Sequence, residues 1–518
     1  MIHVVNTKIL VMKKLFKLFM IGMLIPLLSL FSCSDEFLDA PSENQLTPAD
    51  LPEGVTAFDG IAESLYFKPW FTFNDKFLIA VGDMYAGNAF TFDGAYAQFK
   101  DAQVTSQNPI LTEGYISLFS VIDQSNNLMS LVEDSKSELP EASYKNAIAI
   151  SRFMRANAYF YLVRTFGAVP IISKAGSAPQ PKRNIVDDVY KFIKLDLEYA
   201  IENLPETSAK KGYVNKTVAM GILAKVHLTL NEYAECADLT QQIMGKQYFL
   251  VQEYGSLFNS PENNNSAESM FALQWKAIAT EWGTQNTNQA YIVPGLTGIT
   301  GGGDGWGVHL PSISLQAGFE PNDIRKRNTI MTDGDFYPEL LKNNGGFKYK
   351  KILSSTGANF RKYIVGSAAE RKDVFFMKTS QNTIILRYSD ILLMHAEAIL
   401  AGANSTTQAS ALNAFNEVRT RAGLPIKTVL TRDELFNERR IEFALEGQYF
   451  FDLKRRGLSE ATAIISQQEV GFYSDDARTI LVSRKITPGG NYFELPLPQS
   501  AIDTNPSLLE APVPFNFN

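Results

Sequence analysis

The sequence predicts a mainly α-helical protein in which a tetratricopeptide-like helical scaffold is interrupted by a long loop-rich insertion. Apolar residues recur at helical spacing from about residue 57 onward. Over residues 216–244, two helical patterns joined by a two-residue turn resemble the unit of a tetratricopeptide array. Between residues 246 and 385 this periodicity fades, and Gly, Asn, Ser and Thr become frequent. With 518 residues, 45% of them hydrophobic and 20% charged, the chain can bury a large core, which excludes a disordered protein.

The N-terminus, residues 1–32, is predicted to be a lipoprotein signal peptide. Several lysines precede an apolar run from Leu18 to Phe31, which is shorter than the roughly 20 residues that a membrane span needs. The run ends with Leu30-Phe31-Ser32-Cys33, which resembles a bacterial lipobox, so Cys33 is expected to carry the lipid. The alternative is an ordinary cleaved signal followed by an incidental cysteine. Residues 33–56 are polar and contain prolines, and are expected to form an extended lipidated tether.

Helices are predicted on both sides of the insertion. In the N-terminal helical region, residues 57–245, they cover residues 113–134, 142–166, 187–204, 216–230 and 233–244. In the C-terminal helical region, residues 386–518, they cover residues 388–400, 407–422 and 432–448, and the proline-rich tail is expected to be extended. No strict 34-residue repeat is visible, so the tetratricopeptide likeness depends on the helix–turn–helix pattern alone.

The insertion, residues 246–385, is predicted to be the ligand-binding region. A stretch this long without regular structure is uncommon in a compact domain unless it has a function. Within it, Trp275 follows an alternating run, Met270–Gln274, that predicts a strand, so this tryptophan is expected in the core.

Composition and motifs exclude several classes of protein. A net charge of −7 and a pI of about 5.4 argue against non-specific nucleic-acid binding. Two cysteines and four scattered histidines indicate neither a disulfide framework nor a metal enzyme. The glycine-rich stretch at 301–305 lacks the Gly-Lys-Ser/Thr of a phosphate-binding loop, and no zinc-protease or serine-hydrolase motif occurs. The sequence therefore nominates no catalytic residue, no metal and no cofactor.

Six groups of residues occur in a characteristic order along the chain. They are Cys33–Asp39; Ser151–Arg164 with Phe166-Gly167 and Val169-Pro170; Ile385–Ala398; Leu412-Asn413 with Val418-Arg419 and Arg421–Leu424; Glu438–Arg440 with Glu442, Glu446-Gly447 and Phe451–Leu453; and Leu495–Pro498 before Asn505-Pro506. Each is unspecific alone, but together and in this order they resemble the SusD/RagB family of outer-membrane glycan-binding lipoproteins. One departure is Gln448-Tyr449, because the family usually has a basic residue shortly before Phe-Asp-Leu.

The resemblance implies a SusD-like fold and a function in binding rather than catalysis. The expected ligand is an oligosaccharide or polysaccharide, delivered to a TonB-dependent SusC-like transporter over which the protein closes as a lid. The expected location is the outer membrane, lipid-anchored and facing outward, since Asp35-Glu36 after Cys33 resemble the surface-export signal of Bacteroidota lipoproteins. Two alternatives remain open: a peptide-binding member of the same family, and a lipid-anchored glycoside hydrolase.

The candidate glycan-binding residues are aromatic side chains in segments with loop character, because sugar rings stack on flat aromatic faces. Glycines or small polar residues flank the strongest candidates, so local neighbours bury them poorly. The full set is Trp306, Trp282, Tyr291, Trp70, Tyr85 and Phe90 for stacking, with Asn88 and Asp304 for hydroxyl groups. The charged motif residues Arg152, Arg155, Arg387 and Glu397 are instead expected to form ion pairs in the scaffold.

Overall fold

Helices dominate the computed structural model, which describes residues 62–136, 139–176, 180–208, 210–295, 298–300, 305–341, 344–366, 374–375 and 377–517. The signal peptide, the tether, Cys33 and Asp304 lie outside the described residues. The α-helices are α1 Gly94–Lys100, α2 Pro109–Asp134, α3 Glu141–Phe166, α4 Val186–Asn203, α5 Lys216–Thr229, α6 Tyr233–Ile243, α7 Ser256–Asn259, α8 Asn288–Ile292, α9 Ile313–Gln316, α10 Arg325–Thr329, α11 Tyr388–Leu400, α12 Ala409–Arg421, α13 Arg432–Glu442, α14 Tyr449–Arg455, α15 Leu458–Ser466 and α16 Gln499–Thr504.

The long helices form one continuous row. Each helix from α2 to α6 packs on the next, and α11 then packs on α6 and carries α12. A helical segment before α1, with a 3-10 turn at Lys68–Trp70 and π-helical stretches at Phe73–Phe77 and Ala80–Met84, packs against α2. The predicted helical scaffold is therefore confirmed, and the two helical regions join across the insertion.

The predicted helix over residues 432–448 was too long. Helix α13 begins with a capping box between Thr431 and Glu434 and ends at Glu442. Leu445 and Gly447 adopt positive φ angles of 63° and 71°, and the buried carboxylate of Asp83 accepts hydrogen bonds from both of their backbone N–H groups. The chain turns there because a distant carboxylate fixes the backbone, a contact that helical periodicity does not reveal.

The proline-rich tail is also more regular than predicted. It contains α16 and a 3-10 turn at Pro506–Leu509, in which the side chain of Asn505 accepts a hydrogen bond from Ser507 N. Prolines fit at the first positions of such short helices because their missing N–H would have no partner there.

The insertion consists of short strands and single helical turns. Its longest strands, β2 Ser269–Leu273 and β10 Thr383–Arg387, run antiparallel to each other and so hold together the two ends of the segment between them. The other pairs are β1 with β3, β4 with β7, β5 with β6, and β8 with β9, and two further pairs, β11 with β12 and β13 with β14, lie in the C-terminal region. The strands are β1 Ala89–Phe90, β2 Ser269–Leu273, β3 Leu310–Pro311, β4 Ile330–Met331, β5 Phe336–Tyr337, β6 Phe347–Lys348, β7 Asn359–Phe360, β8 Val374–Phe375, β9 Lys378–Thr379, β10 Thr383–Arg387, β11 Ser405–Thr406, β12 Leu430–Thr431, β13 Phe472–Tyr473 and β14 Leu481–Val482.

A buried ion network joins the insertion to α13. Arg387, at the end of β10, pairs with Glu268 at 2.7 Å, with Glu442 at 2.5 Å and with Glu446 at 2.9 Å. Lys362 of the insertion pairs with Glu446 at 2.7 Å. The network includes Glu268, Asp323, Arg325, Lys362, Arg387, Arg419, Arg421, Glu438, Glu442 and Glu446.

The other charged motif residues also form the expected ion pairs, although Arg152 is partly exposed and reaches Asp196 only at 3.8 Å. Arg155 donates to both carboxylate oxygens of Asp196 at 2.8 Å, and Arg455 donates to Glu397 at 2.8 and 2.9 Å. Gln448, where a basic residue is usual, accepts a hydrogen bond from Lys225 Nζ at 2.8 Å, while Lys225 pairs with Asp390 at 2.5 Å. A neutral side chain at position 448 thus fits beside a cation that already has its carboxylate.

Candidate functional site

Two of the four tryptophans have exposed side chains, and both lie in the insertion. Trp282 is 57% exposed and Trp306 is 43% exposed, whereas Trp70 and Trp275 are 1% and 4% exposed. The expected burial of Trp275 is confirmed. Exposed indole rings in non-helical segments are the natural starting point for a binding surface, because soluble proteins usually bury such large apolar groups.

Trp306 packs on an aromatic cluster formed by three other rings, those of Tyr96, Tyr291 and His309. Its ring meets Tyr291 at a centroid distance of 5.0 Å and an angle of 68°, and Tyr291 stacks on His309 at 4.9 Å and 10°. Tyr96 contacts His309 edge to face at 4.5 Å. The cluster holds the base of Trp306 while a large part of its ring stays in solvent.

Backbone contacts place Trp306 on this cluster. Its N–H donates to Ala290 O at 2.6 Å, and the N–H groups of Val308 and His309 donate to Tyr291 O. A Cβ atom on Gly305 would lie 2.5 Å from the Val293 side chain, so only glycine allows the loop to approach α8 this closely.

Tyr291 is buried and serves as a support. Its hydroxyl donates to Asp75 Oδ1 at 3.2 Å, and the Thr287 hydroxyl donates to the same oxygen at 2.5 Å. Burial raises the pKa of Asp75 above its ordinary value, although these two donors act in the opposite direction. Asp75 therefore ties α8 to the helical segment at Phe73–Phe77.

Trp282 lies on a closed loop, residues 276–284, which we call the Trp282 loop. Lys276 N donates to Thr284 O at 2.7 Å and closes the loop, and Gln285 Oε1 accepts from the N–H groups of Gly283 and Thr284. Phe71 meets the Trp282 ring edge to face at 5.6 Å. Phe71 and Asp75 are about one helical turn apart, so Trp282 and the aromatic cluster contact neighbouring parts of the same helical segment.

The remaining candidates lie in the core. Trp70 donates through Nε1 to Leu65 O at 2.9 Å, and Phe90 is 1% exposed against Phe92. Asn88 donates to Asp83 at 3.0 Å and accepts from Arg440 at 2.8 Å, so its amide is engaged in structural bonds.

Tyr85 is likewise buried and lies apart from the exposed tryptophans. Its ring stacks on Tyr492 at a centroid distance of 4.2 Å. It lines a separate cavity of about 550 Å³, whose wall also includes Phe166, Arg183 and Glu494. In this structure Tyr85 offers no ring face to solvent beside Trp282 or Trp306.

Sequence reasoning missed three contributors to the exposed surface. Phe71 contacts Trp282, while Tyr96 and His309 pack on Tyr291, the ring that contacts Trp306. Phe71 and Tyr96 lie far along the chain from the rings that they contact, and nothing in the sequence marks His309, three residues after Trp306, as a ring that stacks on Tyr291.

The described residues contain no group of three or more His, Cys, Asp or Glu side chains arranged to hold a metal ion. Among the same residues, every helix is too short or too polar to cross a bilayer.

Comparison with known proteins identifies the family. The family model described as "SusD family" matches residues 268–513, and the one described as "Starch-binding associating with outer membrane" matches residues 36–228. A SusD-like protein of Bacteroides ovatus is 31% identical, and the alignment covers 94% of this chain and 96% of that protein. The chain belongs to the SusD family.

Further SusD relatives agree with this assignment. SusD-like protein P2 of Formosa agariphila is 26% identical over 85% of this chain and 90% of its own length. A crystal structure with xylogluco-oligosaccharide superposes with a TM-score of 0.81 at 29% identity, covering 89% of this chain and all of that chain. The SusD-like fold predicted from the six sequence motifs is thereby confirmed.

Proposed function

We propose that this SusD-family protein binds oligosaccharide or polysaccharide through Trp282 and Trp306 without cleaving it. The observation that carries the proposal is the pair of exposed indole rings, each supported at its base by other aromatic rings. A ring held in this way loses little conformational entropy when a ligand stacks on it.

The chemistry of a sugar fits such a surface. The C–H faces of pyranose rings stack on indole, and their hydroxyl groups can bond to water or to nearby polar groups. A similar stacking of nucleic-acid bases on aromatic side chains contributes about 1–3 kcal/mol per ring.

The related structure with xylogluco-oligosaccharide supports a neutral plant glycan as a starting point for experiments. We therefore propose testing the purified protein on a panel of xyloglucan oligosaccharide, laminarin, starch and a casein digest. Retention of a glycan with no new reducing ends supports a binding protein. Release of reducing ends would support the hydrolase alternative, and retention of peptides alone would support the peptide-binding alternative.

The site itself is tested with the double variant Trp282→Ala/Trp306→Ala. Loss of the two stacking rings should weaken glycan binding by at least about 5-fold, the equivalent of 1 kcal/mol. A matched control is Phe249→Ala, because Phe249 is 59% exposed and lies outside both supporting clusters. Unchanged affinity in the double variant would place the ligand elsewhere.

We also propose that Cys33 anchors the protein in the outer membrane, facing outward, and that it delivers glycan to a TonB-dependent SusC-like transporter. The support is the lipobox-like sequence at Cys33 and the description of the N-terminal family model as associating with the outer membrane. Cys33→Ala should move the protein to the soluble fraction. Co-purification with the transporter in mild detergent tests the partnership, and isolation of a lone protein when both are expressed would contradict it.

A further inference from the structure

Lys378 lies beneath the Trp282 loop and binds three of its backbone carbonyl groups. Its ammonium nitrogen lies 3.1 Å from Ile278 O and 3.0 Å from Ala279 O, and it also donates to Glu281 O. A lysine ammonium has three N–H donors, so the loop engages all of them. Lys378 therefore has no donor left for a ligand, and its effect is exerted on the loop.

The same ammonium lies over one face of the Trp282 ring, 5.7 Å from the ring centroid. This geometry is that of a cation–π interaction. The ring thus has an ammonium on one face and Phe71 at an edge-to-face angle of 77°, while 57% of the side chain remains exposed.

Lys378 is itself held in a fixed place. It lies on β9, and the next residue, Thr379, exchanges two backbone hydrogen bonds of 2.9 Å with Asn286. Asn286 in turn lies just beyond the loop, and its side chain donates to Gln381 O at 2.8 Å. Lys378 therefore reaches the Trp282 loop from a strand that is hydrogen-bonded to Asn286, shortly after the end of that loop.

We propose that Lys378 is a positioning residue for glycan binding: it gathers the carbonyl groups of the Trp282 loop and orients the indole so that its face away from Lys378 receives the sugar. This inference rests on the proposed function. Without the ammonium, three carbonyl groups at the loop tip would turn to water, and the indole would sample several orientations. The affinity is then multiplied by the fraction of time that the ring is correctly oriented.

The first test is Lys378→Met, which keeps an unbranched apolar stem and removes the ammonium. Xyloglucan oligosaccharide is the probe, and we expect its affinity to fall about 3- to 10-fold, as for a loop that is productive a third to a tenth of the time. Lys276→Met is the matched control. It removes one exposed lysine from the same loop and leaves the bonds from Lys378 to the three carbonyl groups in place. Lys378→Arg should restore most of the affinity, since guanidinium also donates to carbonyl groups.

A double-mutant cycle shows whether Lys378 acts through Trp282. In the Trp282→Ala background, Lys378→Met should cause no further loss of affinity. An equal loss in both backgrounds would overturn the inference while leaving the proposed glycan site intact. Normal binding by Trp282→Ala would instead remove Trp282 from the proposed site, and with it the positioning role.

Hydrogen exchange provides a readout that needs no glycan. In Lys378→Met, the backbone amides of residues 281–284 should exchange faster than in the wild type, while Lys276→Met should leave them unchanged. Unaltered exchange in Lys378→Met would show that the loop is ordered without the ammonium, and would overturn the inference whichever glycan the protein binds.

Discussion

Trp306 and Trp70 show how differently the same residue type can be used. Trp306 has 43% of its side chain in solvent, whereas Trp70 is 1% exposed and is bonded to the backbone. We expect Trp306→Ala to lower the free energy of unfolding by about 1–2 kcal/mol, mainly through the lost contact with Tyr291. Trp70→Ala should cost about 3–5 kcal/mol, as for a fully buried aromatic ring. Denaturant unfolding followed by circular dichroism measures both. A loss as large in Trp306→Ala as in Trp70→Ala would show that Trp306 is a core residue.

Burial makes His309 a neutral part of the aromatic cluster. It lowers the pKa of His309 to about 3, and Nε2 has no hydrogen-bond partner among the described residues. A histidine whose folded pKa is depressed stabilises the fold above its unfolded value of 6.5, and this contribution is lost as the pH falls below that value. At pH 5 the loss amounts to about 2 kcal/mol.

His309→Phe should therefore make the protein more tolerant of acid. Phenylalanine keeps the ring contacts with Tyr291 and Tyr96 and cannot take up a proton. Melting temperatures measured from pH 7 to pH 5 should fall less in the variant than in the wild type. Parallel curves would show that folded His309 takes up a proton about as readily as it does in the unfolded chain, and would contradict the depressed pKa.

At this scale the sequence predicted part of the candidate site. Glycine and small polar neighbours correctly marked Trp282 and Trp306 as poorly buried. Loop character was a poor guide for Trp70, Phe90 and Asn88, which are all buried. Trp70 packs on nearby Phe73, and Phe90 packs on nearby Phe92 and on distant Phe472. The distant Arg440 donates to Asn88. Local composition shows whether neighbouring residues can bury a side chain. It does not show whether residues distant in sequence bury it.

Among the elements, the turn after α13 has the strictest geometric requirement. Gly447 has a φ of +71°, and a Cβ atom there would lie 2.2 Å from Leu78 Cδ1. A Cβ atom on Gly82 would lie 2.2 Å from the backbone of Gly447, so the two segments meet backbone to backbone. Together with the hydrogen bonds that Leu445 and Gly447 donate to Asp83, this close approach fixes the turn that follows α13.

Gly447→Ala should destabilise the protein by several kcal/mol, because it adds both a steric overlap and an unfavourable backbone conformation. The control is Gly489→Ala, where no atom lies within 4 Å of an added Cβ. Thermal unfolding distinguishes the two variants, and an unchanged midpoint in Gly447→Ala would mean that the turn can shift at little cost.

The regular helices of the scaffold were more predictable than the turns and strands between them. Helix α11 was predicted at Tyr388–Leu400 and is observed there. Its apolar residues recur at helical spacing along its length, which favours a buried helix over any other structure. Two-residue strands such as β4 and β7 depend on pairing between distant segments, so no local period announces them.

For the molecule as a whole, the buried ion network sets the response to acid. Burial alone would raise the pKa of Glu442, but Arg421, Arg387 and Arg325 outweigh it and hold that pKa well below the ordinary value of 4.5. A carboxyl group with a depressed folded pKa stabilises the fold above its unfolded value, and this contribution is lost as the pH falls below about 4.5.

Glu442→Gln should cost about 3–5 kcal/mol at pH 7, because it leaves three buried guanidinium groups short of one negative charge. The gap between variant and wild type should narrow below about pH 4.5, where the wild type also begins to lose this contribution. Urea unfolding measured from pH 7 to pH 3 gives both free energies. Glu202→Gln, an exposed position on α4, is the control in these titrations. A gap that stays constant down to pH 3 would contradict the role assigned to Glu442.

The pairing of β2 with β10 has a consequence for how such proteins diversify. Because these two strands are paired, the segment between them begins and ends at nearly the same place on the helical scaffold. Helix α11, which follows β10, packs directly on α6. The cost of closing a loop grows only slowly with its length. Natural selection can therefore lengthen or trim the exposed loops of this segment, provided that Arg325, Lys362 and Arg387 keep their ion pairs with Glu442 and Glu446. Under the proposed function, such changes would alter ligand preference while the helical row continues to fold. A chimera that carries a relative's segment between Ser269 and Arg387, with these charged residues retained, would test whether ligand preference transfers with the segment.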